Sequence, residues 1–253
     1  MMNEITALIG GTGIYAPGTI KEGMVVRRET VNTPYGDVTV ERTDDLIFLN
    51  RHAPNHSVPP HKVNYRANIK ALHMLGVKRI CATFAVGSIN ADFELAVPVI
   101  LSDFIDYSSG REHSFFDKIE AAKGHVDMSV PFCPVLSDAL EREAAARNLK
   151  VRRGGVYAST NGPRFESPAE IKAYRKMGAD VVGMTLCPEL PLALELGMSY
   201  AGLAFSINWG AGMTPNIELV HEGVDIIKDK MLHVMMAALA NTKDADCTPA
   251  SIL

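Results

Sequence analysis

The sequence lacks the features that mark secreted, membrane-bound or nucleic-acid-binding proteins. Its four cysteines are far apart and form no C-x-x-C pair, which argues against a thiolate zinc site and a disulfide scaffold. No basic segment leads into an apolar run, and none of the runs reaches the ~18 residues of a membrane span. Acidic residues outnumber basic ones by 29 to 25, so no overall positive field favours nucleic acid or an anionic membrane. We therefore expect a cytoplasmic protein with a small-molecule partner.

The composition is that of an ordinary globular protein. Of the 253 residues, 47% are hydrophobic and 21% are charged, which excludes a disordered chain. Apolar runs typical of strands, such as Ile5 to Ile9, alternate with segments typical of helices, such as Leu136 to Leu149. This alternation predicts an α/β fold with a mixed central sheet, formed as one domain over residues 1–253. We expect the tail after about residue 241 to be loose.

Three local patterns predict particular elements. The segment from Asp37 to Leu49 has a strand pattern. Ser167, Pro168 and Glu170 supply the N-cap, first-turn proline and N3 glutamate of a capping box, so a helix is predicted to begin there. The last helix is predicted to run from about residue 218 to residue 240.

The first candidate site is the glycine-rich turn after the first strand. Residues 11–16 formally match the G-x-G-x-x-A fingerprint of dinucleotide-binding proteins, which requires a helix directly after the turn. Pro17 and Gly18 disfavour that helix, so a dehydrogenase is the weaker interpretation. The backbone amides and the Thr12 hydroxyl suit a single phosphate better, and a plain tight turn is the equally weighted alternative.

The second candidate is the run that begins Arg51-His52 and continues to His56 and His61. Its histidines suggest zinc, but Pro54 interrupts the helix that would place His52 and His56 one turn apart. No carboxylate is nearby in the sequence to complete a ligand set, so we predict no metal site. The planar guanidinium of Arg51 suits phosphate oxygens, with a surface salt bridge as the alternative.

The remaining candidates are two polar side chains and one aromatic ring. Phe165 offers a flat apolar face and Glu166 a carboxylate, both in a loop before the capping box, while Asn208 places an amide at a strand end. Each has an ordinary alternative, which is core packing for Phe165, the helix dipole for Glu166 and a turn for Asn208. None of these residues alone predicts a function.

Taken in order, the motifs resemble the trimeric purine nucleoside phosphorylase and methylthioadenosine phosphorylase family. From Ile9 to the last helix the chain contains I-G-G-T-G, R-H-x-x-x-H, K-V-N-Y-R-A-N-I-x-A-L, A-x-G-S-I, D-F-I-D, G-P-R-F-E-S-x-A-E-I and G-M-T-x-x-P-E-x-x-L-A-x-E. The resemblance implies a single α/β domain with a distorted mixed sheet and a homotrimer or hexamer. It also implies cleavage of an N-glycosidic bond by inorganic phosphate, without a metal or organic cofactor.

The resemblance also assigns site residues. Those expected to hold phosphate are Thr12, Arg51, His52 and Thr185. Those expected to contact the base and sugar are Phe165, Val182 and Met184, together with His125, which would reach the 5′ substituent in the neighbouring subunit. Phe84 departs from the family pattern, because the family has a polar phosphate contact at its place.

Further departures bear on the substrate. Methylthioadenosine phosphorylases carry aspartates at the positions of Asn208 and Gly210, whereas the 6-oxopurine branch shares Asn208 and Glu166 with this chain. The carboxylate of Glu166 can accept a hydrogen bond from N1–H of hypoxanthine, and the amide of Asn208 can satisfy O6 and N7. Adenine would leave these polar groups unpaired. Asn208 and Glu166 are therefore the expected catalytic pair.

The 5′ group of the sugar stays open. The S-G-R-E-H run and His125 resemble S-methyl-5′-thioinosine phosphorylases, and favour phosphorolysis of S-methyl-5′-thioinosine to hypoxanthine and 5-methylthioribose 1-phosphate. His221 resembles the histidine that faces a 5′-hydroxyl in inosine/guanosine phosphorylases. Methylthioadenosine phosphorylase is a further alternative, and Phe84 also suggests a purine-binding protein without turnover.

Overall fold

The computed structural model describes residues 4–11, 26–53, 57–117, 124–220, 223–243, 245–247 and 252. The strands of this part are β1 (Ile5–Gly10), β2 (Arg27–Thr33), β3 (Gly36–Arg42), β4 (Leu46–Asn50), β5 (Val77–Ser88), β6 (Pro98–Asp106), β7 (Arg152–Ser159), β8 (Val181–Gly183) and β9 (Ser199–Trp209). The α-helices are α1 (Tyr65–Met74), α2 (Pro134–Ala146), α3 (Pro168–Lys176), α4 (Glu189–Glu195) and α5 (Val224–Ala240). The predicted α/β class is confirmed.

The strands form one mixed sheet in the order β2-β3-β4-β1-β5-β8-β7-β6-β9. Strand β1 pairs in parallel with β4 and β5, whereas β8 pairs antiparallel with β5. The long strand β5 also pairs in parallel with β9, so that β5, β8, β7, β6 and β9 close into a ring. This closure requires strong curvature and confirms the expected distorted mixed sheet.

One edge of β5 changes its partner along the strand. Up to Ala82 this edge pairs with β1, and from Gly87 it pairs with β8, while β9 occupies the opposite edge throughout. Among the described strands, none pairs with residues 83–86 on the first edge. The sheet therefore opens between the end of β1 and the beginning of β8.

Helices cover both faces of the central strands. Successive residues of a strand point to opposite faces. Ile9 and Leu49 accordingly pack in an apolar cluster with residues of α1 and α4, whereas Leu8 and Phe48 pack with residues of α2 and α5. The open part of the β5 edge is therefore held between two well-packed layers.

The start of α3 is built as the sequence predicts. The Ser167 hydroxyl accepts a hydrogen bond from the Glu170 backbone N–H at 3.3 Å, and the Glu170 carboxylate accepts one from the Ser167 backbone N–H at 2.7 Å. Pro168 is the first helical residue. The capping box is confirmed, and it fixes the backbone directly after Glu166.

The strand-patterned segment from Asp37 to Leu49 contains two strands instead of one. Strand β3 ends at Arg42 and β4 begins at Leu46. The turn between them is closed by the Leu46 N–H, which donates to the Thr43 hydroxyl at 3.1 Å. Threonine hydroxyls that bond nearby backbone groups favour turns over a continuous strand.

The last helix is shorter than predicted. It begins at Val224, because Gly223 has a φ of 72°, outside the right-handed helical region, and residues 217–220 are not helical. His221, predicted near the sugar, lies outside the described residues. Within the described part of the chain, no helix has the length and apolar character needed to cross a membrane.

Some of the residues that the structure describes after 241 are hydrogen-bonded to the body of the protein, while the loose tail stays a prediction. The Arg79 guanidinium donates to the carbonyls of Lys243 and Ala245 at 3.2 and 2.7 Å. The Ser199 hydroxyl donates to the carbonyl of Cys247 at 3.2 Å. The sequence pattern does not reveal these contacts, because they join the tail to strands far away in the chain.

Candidate active site

A cavity lies at the open part of the β5 edge. Most of the side chains that the sequence nominates line it, namely Arg51, His52, Phe165, Glu166, Val182, Met184, Thr185 and Asn208. The lining is completed by Gly11, Pro60, Ala85, Val86, Gly87, Gly183 and Ile207. Of the nominated residues within the described part of the chain, only His125 is absent from this lining. Segments far apart in sequence thus meet in one cavity, which is typical of a binding site.

Two glycines let the backbone approach closely at this cavity. A Cβ at Gly11 would lie 2.7 Å from the carbonyl oxygen of Thr83, and one at Gly87 would lie 3.2 Å from the Asn208 amide nitrogen. The first distance is shorter than real Cβ contacts, and the second is tight. These positions therefore favour glycine because of packing.

We call Arg51, His52 and Thr185 the Arg51 side of the cavity. Arg51 is fully buried and forms a bidentate pair with Glu189, with Nε and Nη2 donating to its two carboxylate oxygens at 2.6 and 2.7 Å. Its Nη1 donates to the carbonyl of Thr83 at 2.8 Å. The surface salt bridge considered for Arg51 is therefore wrong. A guanidinium has five N–H donors, so these three bonds leave two others.

The pair between Arg51 and Glu189 is stable as an ion pair. Burial alone would lower the pKa of Arg51, but the charge and hydrogen bonds of Glu189 outweigh burial and raise this pKa above its usual value. Tyr200 donates its hydroxyl to Glu189 at 2.6 Å. Burial also raises the pKa of Tyr200, and the nearby Glu189 charge adds to this. The tyrosine therefore stays neutral and remains a donor.

Sequence reasoning missed Glu189 and Tyr200 as supports of the site. In the sequence, Glu189 is only the last residue of the G-M-T-x-x-P-E motif, with no sign of its partner. Nothing in the sequence shows that it lies opposite Arg51, because the two residues are 138 positions apart. The contact depends on the packing of α4 beside the end of β4.

The other two members of the Arg51 side are also buried. His52 places Nδ1 at 2.9 Å from the carbonyl of Val58, and since a carbonyl only accepts, Nδ1 carries the proton. This bond orients the imidazole ring. The Thr185 backbone N–H points to the Tyr157 hydroxyl oxygen at 3.4 Å. Burial raises the pKa of Tyr157, so that its hydroxyl stays neutral.

Phe84 does not line the cavity. It is buried in the core, where its ring centroid lies 4.6 Å from the Arg51 guanidinium carbon. Thr83 accepts the backbone N–H of Gly11 on its hydroxyl at 2.9 Å. The Gly11 amide is therefore bonded within the protein, and the phosphate contacts expected of the glycine-rich turn stay a prediction. Thr12 lies outside the described residues.

We call Phe165, Glu166, Val182 and Asn208 the Glu166 side. Glu166 and Asn208 are buried, whereas Phe165 is 50% exposed, so the core-packing alternative for Phe165 is wrong. The Asn208 Nδ2 donates to the Trp209 carbonyl at 2.9 Å, which orients the amide and leaves its oxygen and one N–H. The Glu166 carboxylate accepts the Thr160 hydroxyl at 2.7 Å.

Arg111 joins the loops behind this cavity and was missed as a supporting residue. Its Nη2 donates to the carbonyls of Met184 and Asn161 at 2.9 and 3.0 Å, and its Nη1 donates to the carbonyl of Cys187. The guanidinium carbon also lies 5.3 Å from the centre of the Tyr65 ring. The only sequence signal was its place in the S-G-R-E-H run.

His125 is exposed and lies away from the cavity of its own chain. Its expected role concerns a neighbouring subunit and stays a prediction. Among the residues described by the structure, no group of three or more His, Cys, Asp or Glu side chains could hold a metal ion.

Comparisons with known proteins support this picture. Residues 6–240 match the model of the phosphorylase superfamily. The chain is 46% identical over 234 residues to a probable 6-oxopurine nucleoside phosphorylase of Thermococcus kodakarensis, covering 88% of this chain and 86% of that protein. It is 42% identical over 233 residues to a probable S-methyl-5′-thioinosine phosphorylase of Methanopyrus kandleri, covering 90% of this chain and 87% of that protein.

A solved structure has the same fold. A double mutant of the adenosine/methylthioadenosine phosphorylase of Schistosoma mansoni, in complex with adenine, superposes with a TM-score of 0.86 at 30% identity, covering 96% of this chain and 93% of that one. The family resemblance derived from the motifs is thereby confirmed. The chain belongs to the phosphorylase superfamily.

Proposed function

We propose that this protein cleaves 6-oxopurine nucleosides by phosphorolysis, with inorganic phosphate as co-substrate and without a metal or organic cofactor. One observation carries the proposal: the side chains suited to an anion and those suited to a 6-oxopurine line the same cavity. The names of relatives at 42–46% identity agree with it. In this reaction a phosphate oxygen forms a bond to C1′, the bond from C1′ to N9 breaks, and its electron pair stays with the purine.

The Arg51 side is assigned to phosphate. The buried guanidinium keeps its charge, and the two N–H groups not used by Glu189 and Thr83 are donors for a phosphate oxygen. His52 and Thr185 line the cavity beside it. Because these groups are fixed by the core, they need little rearrangement as the anion attacks the sugar.

The Glu166 side is assigned to the base. The purine accumulates negative charge as the bond to the sugar breaks, and donors at O6 and N7 stabilise that charge. The remaining N–H of Asn208 is such a donor, and the Glu166 carboxylate accepts N1–H of a 6-oxopurine. The half-exposed ring of Phe165 covers the base, and Met184 contacts the sugar hydroxyls.

Among 6-oxopurine nucleosides, we propose S-methyl-5′-thioinosine as the preferred substrate and inosine or guanosine as the alternative. The matches include proteins named for 6-oxopurine nucleosides and for S-methyl-5′-thioinosine. The preference rests on His125 and the S-G-R-E-H run, so it requires a homotrimer in which neighbouring subunits share a site. Light scattering after size exclusion tests the trimer, with a hexamer as the alternative. We also propose a cytoplasmic location, since the four cysteines are free thiols.

The test is a panel of inosine, guanosine, S-methyl-5′-thioinosine, adenosine and methylthioadenosine, each assayed with and without phosphate. We expect hypoxanthine or guanine release that depends on phosphate and yields a sugar 1-phosphate, with methylthioinosine giving the highest kcat/KM. Equal rates without phosphate, or methylthioadenosine cleaved at least as efficiently as methylthioinosine, would overturn the proposal. Purine binding without any turnover would support the non-enzyme alternative instead.

A further inference from the structure

The Glu166 carboxylate is held by one side chain that the proposed function does not yet use. Thr160, which directly follows β7, places its hydroxyl oxygen 2.7 Å from Oε1 of Glu166. Both residues are buried, with 8% and 9% of their surface exposed. Among the described residues, none donates a hydrogen bond to the other carboxylate oxygen, Oε2. One oxygen of Glu166 is therefore bonded within the protein, and the second is available to a ligand.

The geometry also assigns the hydroxyl proton of Thr160. A threonine hydroxyl has a single proton, and two acceptors are near it: Oε1 of Glu166 at 2.7 Å and the carbonyl of Gly183 at 3.3 Å. The Gly183 carbonyl already accepts the Thr160 backbone N–H at 2.8 Å. The proton therefore goes to Glu166, over the shorter contact. This makes the Glu166 carboxylate an acceptor on that side.

The backbone of Thr160 is fixed as well. Its N–H is bonded to Gly183, the last residue of β8, and its carbonyl lies 3.3 Å from Nη2 of Arg111, which donates over shorter contacts to Met184 and Asn161. Gly183 and its neighbour Val182 line the same cavity as Glu166. The Thr160 hydroxyl is therefore held at a fixed distance from the residues assigned to the base.

We propose that Thr160 is a specificity-determining positioning residue, which holds Glu166 as a hydrogen-bond acceptor and so selects 6-oxopurines over 6-aminopurines. This inference rests on the proposed function. A 6-oxopurine carries N1–H and needs an acceptor, which Oε2 supplies. A 6-aminopurine has an unprotonated N1, so two acceptors, N1 and Oε2, would face each other without a proton to share.

The first test compares Thr160→Val, which removes the hydroxyl at nearly constant shape, with Thr160→Ser, which keeps it. A hydrogen bond to a charged group corresponds to about a 10- to 100-fold effect, so Thr160→Val is expected to lower kcat/KM for inosine by that factor. The loss for adenosine is expected to be smaller, so that the ratio of inosine to adenosine falls about tenfold. Thr160→Ser is expected to keep the wild-type ratio within about threefold. An unchanged ratio in Thr160→Val would overturn the inference.

A control variant and a double-mutant cycle distinguish the positioning of Glu166 by Thr160 from a general loss of folding or activity. Thr30→Val makes the same change at an exposed position on β2 and is expected to leave both rates unchanged. In a Glu166→Gln background the acceptor is neutral, so Thr160→Val is expected to cost several-fold less than in the wild type. Equal costs in the two backgrounds would show that Thr160 acts through Gly183 or the fold, and would overturn the inference.

Calorimetric binding of hypoxanthine distinguishes failure of the inference from failure of the proposed function. Thr160→Val is expected to weaken hypoxanthine binding about tenfold or more and adenine binding less. A wild type that binds hypoxanthine but releases no base with phosphate would overturn the proposed function alone. Unchanged hypoxanthine affinity in Thr160→Val would overturn the inference alone, and a wild type that does not bind hypoxanthine would overturn both.

Discussion

The Arg51 side and the Glu166 side of the cavity are built in different ways. Arg51 is fully buried and shares a bidentate ion pair with Glu189, which Tyr200 also supports. Glu166 is held by a single hydroxyl, and Asn208 by a bond to the next carbonyl in the chain. Changes on the first side should therefore affect both folding and activity. Changes on the second side should affect substrate choice and leave the fold nearly intact.

The largest expected effect is on stability, at Glu189. Glu189→Ala leaves the buried Arg51 charge without its partner, and breaking a buried pair costs about 3–5 kcal/mol in the free energy of unfolding. For a chain of this size that is about a 10 °C fall in Tm, measured by calorimetry. Arg153→Ala, which removes exposed salt bridges to Asp138 and Glu141, is the control and should cost less than about 1 kcal/mol. Similar losses of stability in the two variants would show that the buried pair of Arg51 and Glu189 contributes no more than an exposed salt bridge.

A smaller loss, in catalysis, is expected for Arg51→Lys. The ammonium keeps the charge, but its three N–H donors on one nitrogen cannot replace the guanidinium fork, which bonds both oxygens of Glu189 and the carbonyl of Thr83 and leaves two donors for phosphate. Removing a preorganised donor to the reacting anion costs about 2–4 kcal/mol, or roughly 30- to 1000-fold in kcat/KM. The KM for phosphate should rise more than that for the nucleoside. The matched change Glu166→Gln should raise the KM for the nucleoside more than the KM for phosphate. If both variants changed these two KM values in the same way, the two sides of the cavity would not have separate roles.

The same contrast separates what the sequence predicts from what it does not. The capping box at Ser167 is predictable, because it depends on residues three positions apart. The pairing of Arg51 with Glu189 is not, because it depends on α4 packing beside the end of β4. Most of the residues that the motifs nominate line one cavity, but a motif cannot show which donors are already bonded, as at Gly11.

Phe84 shows the limit of transferring a family pattern. Its position suggested a lost phosphate contact, and hence a degenerate site. In the structure the ring lies against the Arg51 guanidinium and edge-on to Tyr157, so it is part of the packing beneath the site. The three-dimensional neighbours show that Phe84 packs against Arg51 and does not line the cavity.

On the Glu166 side, Asn208→Asp should change substrate choice. An aspartate accepts from the purine edge where the amide donates, so O6 of a 6-oxopurine loses a partner at a cost of about 1–3 kcal/mol. The ratio of kcat/KM for inosine to that for adenosine should fall about tenfold or more, although Glu166 still opposes adenosine. Thermal unfolding should be nearly unchanged. A ratio that stays constant would exclude Asn208 as a discriminator.

The smallest expected effect comes from a change beside Glu166 at a residue that does not line the cavity, so it tests whether the two sides of the cavity are independent. Ser167→Ala removes the N-cap hydroxyl of α3, and such changes cost about 1 kcal/mol of stability. Since Glu166 directly precedes the cap, loosening the start of α3 should raise the KM for inosine about two- to fivefold while leaving the KM for phosphate unchanged. Ser167→Asp keeps a capping acceptor and should restore both the stability and the inosine KM. If the KM for phosphate rises with that for inosine in Ser167→Ala, the two sides of the cavity are mechanically linked through α3 and are not the independent units that their contacts indicate.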